Sequence, residues 1–338
     1  MKKLALILGS LVVLLVVWQL VFSKPPQSVV LYCAHDAVFA DAVIRRFTAE
    51  TGIHVAMVLD SEATKSLGLV ERLRSEKTAP QADVFWNNEQ LGTMALADEG
   101  VLAEHKGPGW ARIPERFRDP QGRWTGFAAR LRVEADHGLQ GELLRDPAKG
   151  SVAKPMYGTT LTHYCALWAR FGGDAVKAWH AALRAKGLRE VDGNGLVAKL
   201  VGEGSVAWGL TDTDDAFGLL DAGKAVRMRP ARVWLVGGDG AENPAAPTIV
   251  IPNTVAVVAG SRRPEVARQL ADFLLAAATE EQLANGPARQ IPLGPVDEAK
   301  IPAAVRDLRP AAAQGIPLDE IYPARAPVLA WLRAEYGL

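Results

Sequence analysis

The feature that most constrains this chain is an alternation. Largely apolar runs at residues 29–33, 53–59 and 82–86 are separated by stretches with helical spacing, carried by Val38, Val43, Ile44 and Phe47 and then by Leu67, Val70 and Leu73. Short apolar runs predict strands buried on both faces. Helices between them predict parallel pairing, because a parallel neighbour needs a crossover long enough to return. Thr51-Gly52 stops the first helix, Asp60-Ser61-Glu62 opens the second, and a third begins near Glu89. Ligands of such sheets bind beyond the carboxyl ends of the strands. Those ends here are 33–36, 60–62 and 87–89.

The second half repeats the alternation. After an irregular Pro/Gly-rich stretch at 107–126, residues 124–133 predict a long extended segment suited to crossing between domains. Tyr157-Gly158-Thr159-Thr160 opens a helix reaching Phe171, and another covers 174–186. Gly193-Asn194-Gly195 opens a further helix, and a strand at 206–210 runs into Thr211-Asp212-Thr213-Asp214-Asp215. A second crossing falls at 248–258. The pattern predicts two α/β lobes joined by two crossing strands, one lobe from 28–126 with 255–338 and the other from 127–254.

Hydrophobic residues make up 49% of the 338 and charged residues 22%, an ordinary globular balance that excludes disorder. Lys and Arg match Asp and Glu at 38 each, so nucleic-acid binding is not expected to be the main task. Met1-Lys2-Lys3 precedes a 19-residue apolar run at 4–22, broken only by Gly9, Ser10 and Gln19. A basic end followed by an apolar run reads as an export signal, and this run approaches the ~20 residues that span a bilayer. Leu20-Val21-Phe22 is too bulky for a small-x-small cleavage site. Residues 1–27 are therefore expected to be an uncleaved signal anchor, or otherwise a cleaved signal, with the body in the periplasm. Cys33 and Cys165 fit no metal spacing; an exported protein permits their pairing, and two buried thiols are equally compatible with the sequence.

The most informative cluster is 211–215, with carboxylates at Asp212, Asp214 and Asp215. Helix capping explains one or two acids at a helix start. The first half supplies Asp36, Glu62 and Glu89 at equivalent strand ends, and clustered carboxylates suit hard cations. Gly158-Thr159-Thr160 and Gly193-Asn194 precede helices, whose N-termini favour anions. Arg130 and Arg132, two apart on an extended segment, share a face and fit either an anion or an ion pair that holds the crossing. His35 at a strand end is a candidate ligand, and His163 a weaker one. Trp86 and Trp124 fit either the cleft or the core. Without H-E-x-x-H, G-x-S-x-G or a P-loop, no enzyme motif is present.

Tyr32 to Asp36, F-T-A-E-T-G-I at 47–53, A-D-V-F-W-N-N-E at 82–89, W-T-G-F-A-A-R-L-R-V at 124–133, P-N-T-V at 252–255 and Q-I-P-L at 290–293 together resemble periplasmic solute-binding proteins of ABC importers. The resemblance points to their ferric-iron-binding, transferrin-like branch. It implies the type II periplasmic-binding-protein fold, a hinged clamp that is monomeric, not an enzyme, and serves a permease in the inner membrane. It implies a bound Fe³⁺ or other hard cation, with carbonate or phosphate as an accompanying anion. With the carboxylate cluster, the candidate metal ligands are Asp36, Glu89, Asp214, Asp215 and His35. The implied ligand or anion contacts are Glu62, Asn88, Arg130, Thr159, Thr160, Asn194 and Asp212. One departure stands out: where that branch carries two adjacent tyrosines on the metal, this chain has Asp214-Asp215. The alternative is the same fold holding an organic anion such as a phosphonate or carboxylate; a metal-dependent hydrolase is the more distant one.

Overall fold

The computed structural model describes residues 27–35, 37–60, 68–137, 146–156, 158–236 and 243–337. The expected signal segment, Asp36 and Glu62 therefore lie outside the described residues, apart from Gln27. Among the described residues, no helix is long and apolar enough to cross a membrane.

The first half runs β1 (Ser28–Cys33), α1 (Ala37–Thr51), β2 (His54–Leu59), α2 (Gly68–Ser75), β3 (Val84–Asn87), α3 (Gln90–Asp98), β4 (Leu102–Ala103) and α4 (Pro108–Arg112). β5 (Thr125–Asp136) leads into β6 (Gly150–Ala153), α5 (Gly158–Phe171), α6 (Gly173–Ala185), β7 (Arg189–Val191), α7 (Asn194–Gly202), β8 (Trp208–Asp212), α8 (Thr213–Asp221) and β9 (Arg227–Pro230). β10 (Val250–Val258) returns to α9 (Pro264–Leu274) and α10 (Ala277–Asn285), and after several short turns the chain closes with α11 (Arg325–Tyr336). The expected alternation is met. β1 pairs in parallel with β2 and β3, and β6 in parallel with β7 and β8.

The strands form one hydrogen-bonded path, β2-β1-β3-β10-β5-β8-β6-β7, rather than two separate sheets. The reason is the length of β5. Its 12 residues are all buried. Thr125 to Leu131 pair with β10, whereas Arg132 to Asp136 pair with β8, so one strand borders both halves. Within the first of these sets the ladder is irregular. The register shifts between Ile251 and Asn253, and Ala128 has φ of 42°. An alanine there is strained and is held from both sides: its N–H donates to Glu280 Oε1 at 2.7 Å and its carbonyl accepts from Asn253 Nδ2. The buried Glu280 also takes the N–H groups of Leu293 at 2.8 Å and Gly294 at 3.1 Å and pairs with Arg112.

The expected division placed all of 255–338 with the first half. α11 packs on α5 and α6 of the second half. The Trp331 ring lies 5.7 Å from Trp168 and 5.4 Å from His180. Tyr336 Oη donates to Glu190 Oε1 at 2.6 Å, and Arg184 pairs with Glu335 at 2.7 Å. Just before it, Tyr322 reaches back to Asp98 of α3 at 2.8 Å. An amphipathic stripe says that a helix is covered, not by what.

Candidate functional site

β5 and β8 run antiparallel with Arg132 directly opposite Asp212. A Cβ on Gly209 of β8 would lie 2.5 Å from Val197 Cγ1, so only glycine lets α7 settle this close to the sheet and bring Asn194 to the end of β8. Asp212 occupies the N-cap position of α8, yet its side chain makes no capping bond. Its carboxylate turns instead toward Arg132, whose Nη1 donates to Oδ1 at 2.7 Å. Oδ2 accepts from Thr159 Oγ1 at 2.7 Å and from Asn194 Nδ2 at 3.1 Å. Arg132 Nη1 also donates to Thr159 Oγ1 at 3.1 Å and Asn194 Oδ1 at 3.0 Å, and Thr160 Oγ1 donates to that same Asn194 oxygen at 3.2 Å. The two arginines do share a face: Arg130 Nε lies 3.5 Å from Asp212 Oδ2 and its Nη1 3.7 Å from Asp214 Oδ2.

The first turn of α8 brings Asp214 and Asp215 beside Asp212, with one carboxylate oxygen from each lying within 4.8 Å of the others. This is the one such group of acidic, histidine or cysteine side chains among the described residues. Thr213 Oγ1 anchors the turn by accepting from Leu131 N at 3.3 Å. Burial, followed by the charges of Asp214 and Asp212, pushes the Asp215 carboxyl up to about 7; the hydrogen bond from Thr211 and the charge of Arg130 work in the opposite direction. Thr211 Oγ1 donates to Asp215 Oδ2 at 2.7 Å. A cleft of about 350 Å³ between α7 and α8 is lined by Gly195, Lys199, Asp214, Asp215 and Lys224.

Facing residues from the first half join this cluster only in part. Asn88 does, since its carbonyl accepts from Arg130 Nη2 at 2.7 Å. Glu89, expected as a metal ligand, is instead the N-cap of α3: Oε2 takes Leu91 N at 2.7 Å and Oε1 takes Gly92 N at 2.7 Å, with Asn87 Nδ2 at 3.3 Å. Its carboxyl is pushed up by burial, partly opposed by the charge of Arg325. His35 has other neighbours. It is buried with its ring 5.4 Å from Trp86, and its Nε2 lies 3.1 Å from Gln290 Nε2. Asn253 Nδ2 donates to Gln290 Oε1 at 2.9 Å, which fixes that amide with its nitrogen toward the imidazole. His35 Nε2 thus lies within hydrogen-bond reach of Gln290.

His163 is buried and its imidazolium is disfavoured, first by desolvation and then by Arg132, with its titration lowered to about 3. It is a neutral core histidine. Trp86 and Trp124 are core residues. Cys33 and Cys165 are both free and buried, so the pairing left open by the sequence is not formed. The residue that sequence reasoning undervalued is Arg132. Its alternation with Arg130 gave the shared face, but nothing in the sequence names Asp212 as its partner.

No known family profile matches the chain. The curated iron uptake protein A1 of Synechocystis sp. is 30% identical over 115 residues, 32% of this chain and 29% of that protein. The Fe(3+)-binding periplasmic protein of Serratia marcescens is 30% identical over 197 residues, 54% of this chain and 56% of that protein. The aligned parts thus span at most about half the length of these curated relatives. Among solved structures, iron-bound HitA from Pseudomonas aeruginosa superposes with a TM-score of 0.75 at 22% identity, covering 93% of this chain and 100% of that one. The chain has the type II periplasmic-binding-protein fold. Another protein of similar fold is AfuA from Actinobacillus pleuropneumoniae with fructose-6-phosphate bound, at a TM-score of 0.73 and 16% identity, covering 93% of this chain and 100% of that one. The sequence resemblance to ferric-binding periplasmic proteins is thereby matched in fold, and neighbours of this type II fold include one with iron and one with a sugar phosphate.

Proposed function

We propose that this chain is the solute-binding component of an ABC importer, working in the periplasm and delivering a hard cation to a permease of the inner membrane. One lobe comprises 28–126 and the part of the chain after β10 that packs on it. The other comprises 127–254 together with α11. The observation that carries the cation reading is the Asp212, Asp214 and Asp215 group, with its oxygens within 4.8 Å of one another. Carboxylate oxygens at that spacing repel, and oxygen donors select hard cations such as Fe³⁺, Mn²⁺ or Ca²⁺. A cation entering the group reverses the sign of the repulsion. It would also tie α8 to the Asn88 strand end through Arg130, so the liganded state would favour the closed arrangement of the lobes.

A second reading has its own support. Arg130 lies beside the group, and guanidinium groups are suited to anions. In that reading the ligand is an organic phosphate or carboxylate, gripped by Arg130, with an amino or hydroxyl group set against Asp214 and Asp215. The deciding experiment is calorimetry on the purified body with Fe³⁺, Mn²⁺ and Ca²⁺ in one set and with phosphate monoesters and phosphonates in the other. Saturable binding in the first set only supports the cation reading. Binding in the second set alone overturns it.

A further inference from the structure

Three polar groups converge on Asp212 from three different elements. Arg132 comes from β5, Thr159 from the first turn of α5 and Asn194 from the first residue of α7. A buried guanidinium, a hydroxyl and an amide N–H at the starts of two helices form a seat with the chemistry of an anion-binding site. The Arg132 side chain is 0% exposed and that of Asp212 5%. The anion in the seat belongs to the chain. Asp212 leaves its own helix uncapped and directs both carboxylate oxygens into the seat.

We infer that Asp212 is a built-in anion: its carboxylate fills a seat that would otherwise take a free carboxylate- or phosphate-sized ion, and in doing so it also presents an oxygen to Asp214 and Asp215. This deepens the cation reading above and rests on it for one consequence, that cation binding here requires no accompanying small anion. The seat itself does not depend on that reading. Removing the carboxylate while keeping Arg132, Thr159 and Asn194 leaves a buried positive charge and two hydrogen-bonding groups around a space the size of a formate ion. Such a site should recruit formate from solution. An asparagine at the same position fills the space and should not.

The test uses metal-free protein first. Sodium formate and inorganic phosphate are titrated into the wild type, Asp212→Ala and Asp212→Asn, with calorimetry and melting temperature as readouts. Saturable formate binding with a rise in melting temperature is expected for Asp212→Ala alone, and adding Arg132→Met to that variant should abolish it. Equal formate binding by the wild type, or none by a folded Asp212→Ala, overturns the inference. Should Asp212→Ala fail to fold, the wild type decides: its affinity for Mn²⁺ or Fe³⁺ is measured in buffer stripped of carbonate, phosphate and carboxylates, and again with each restored. Affinities agreeing within about twofold are expected, and a tenfold gain, equal to about 1.4 kcal/mol, on adding an anion overturns the inference. Absence of any metal binding by the wild type would instead overturn the cation reading, and formate titrated into the wild type and Arg132→Met then decides the seat: saturable binding by the wild type that Arg132→Met abolishes overturns the inference, and no binding by the wild type supports it.

Discussion

Arg132 Nη1 lies 2.7 Å from Asp212 Oδ1 across the β5–β8 ladder, with both side chains buried. A buried pair of this kind adds little net stability compared with an apolar pair, since desolvation offsets the attraction. Breaking it from one side is costly because the other charge stays buried. Arg132→Met should therefore destabilise the fold by about 3–5 kcal/mol. Urea denaturation measures this directly. A loss below about 1 kcal/mol would place the pair with solvent-exposed ion pairs and contradict the burial described above.

The Asp215 carboxyl is raised to about 7 in the folded chain from an ordinary value of 3.8. Between those values the folded chain holds a proton that the unfolded chain releases. The contribution to stability is thus complete below about 3.8 and lost as pH rises through about 7. Comparing the metal-free wild type with Asp215→Asn over this range isolates the group. The stability difference should shift against the wild type as pH rises, and a flat difference would show that Asp215 ionises normally. A cation bound by Asp215 must displace the proton, so its affinity should climb with pH up to about 7 and then level off.

Replacing Asp214 and Asp215 together by Asn should abolish cation binding while leaving the fold intact. Both sit in the first turn of α8, where the amide remains compatible with the helix. Their removal relieves repulsion within the Asp212 group instead of breaking the Arg132 pair. Calorimetry with the cation that the wild type binds reads the first effect and circular dichroism melting the second. Unchanged affinity in the double variant would remove these two side chains from the site.

Glu89 separates the sequence reading from the structure. Position after a strand made it a candidate ligand, but its two oxygens cap α3 at Leu91 and Gly92. Glu89→Ala should cost about 1–2 kcal/mol of stability, as the loss of a helix cap does, and leave cation affinity within about twofold, under 0.5 kcal/mol. A tenfold or greater loss of affinity would return Glu89 to the ligand set.

Glu89 also illustrates what a sequence withholds. The strand-helix alternation was legible because apolar runs and helical spacing are local, and the crossing at 124–133 stood out by its length. The acids at 211–215 were legible as residue types in a revealing place. Their division of labour was not. It depends on which side chain meets Arg132 across the β5–β8 register, and that pairing joins residues 80 positions apart. Glutamate is not among the preferred N-cap residues, so no local signal marked Glu89 as a cap. His35 was likewise placed correctly at the end of β1. What its Nε2 meets is Gln290, 255 residues away.

The packing of the C-terminal helix was illegible in the sequence for the same reason, and it yields the last prediction. α11 rests on α5 and α6 through Trp331, which packs against Trp168 and His180 and stacks on Tyr164 with ring centroids 6.3 Å apart. Thr159, which holds Asp212, belongs to that same α5. The helix therefore supports the rear of an element whose first turn forms the site. Trp331 is half-buried, so Trp331→Ala should cost somewhat less than a fully buried aromatic, about 2–3 kcal/mol. Because the helix supports α5 and not the lobe holding β1 to β3, the loss should appear first in α5 and α6. Hydrogen exchange would show their amides opening more readily while those of β1 and β2 stay protected. Deprotection confined to 28–126 would instead restore the original division of the chain.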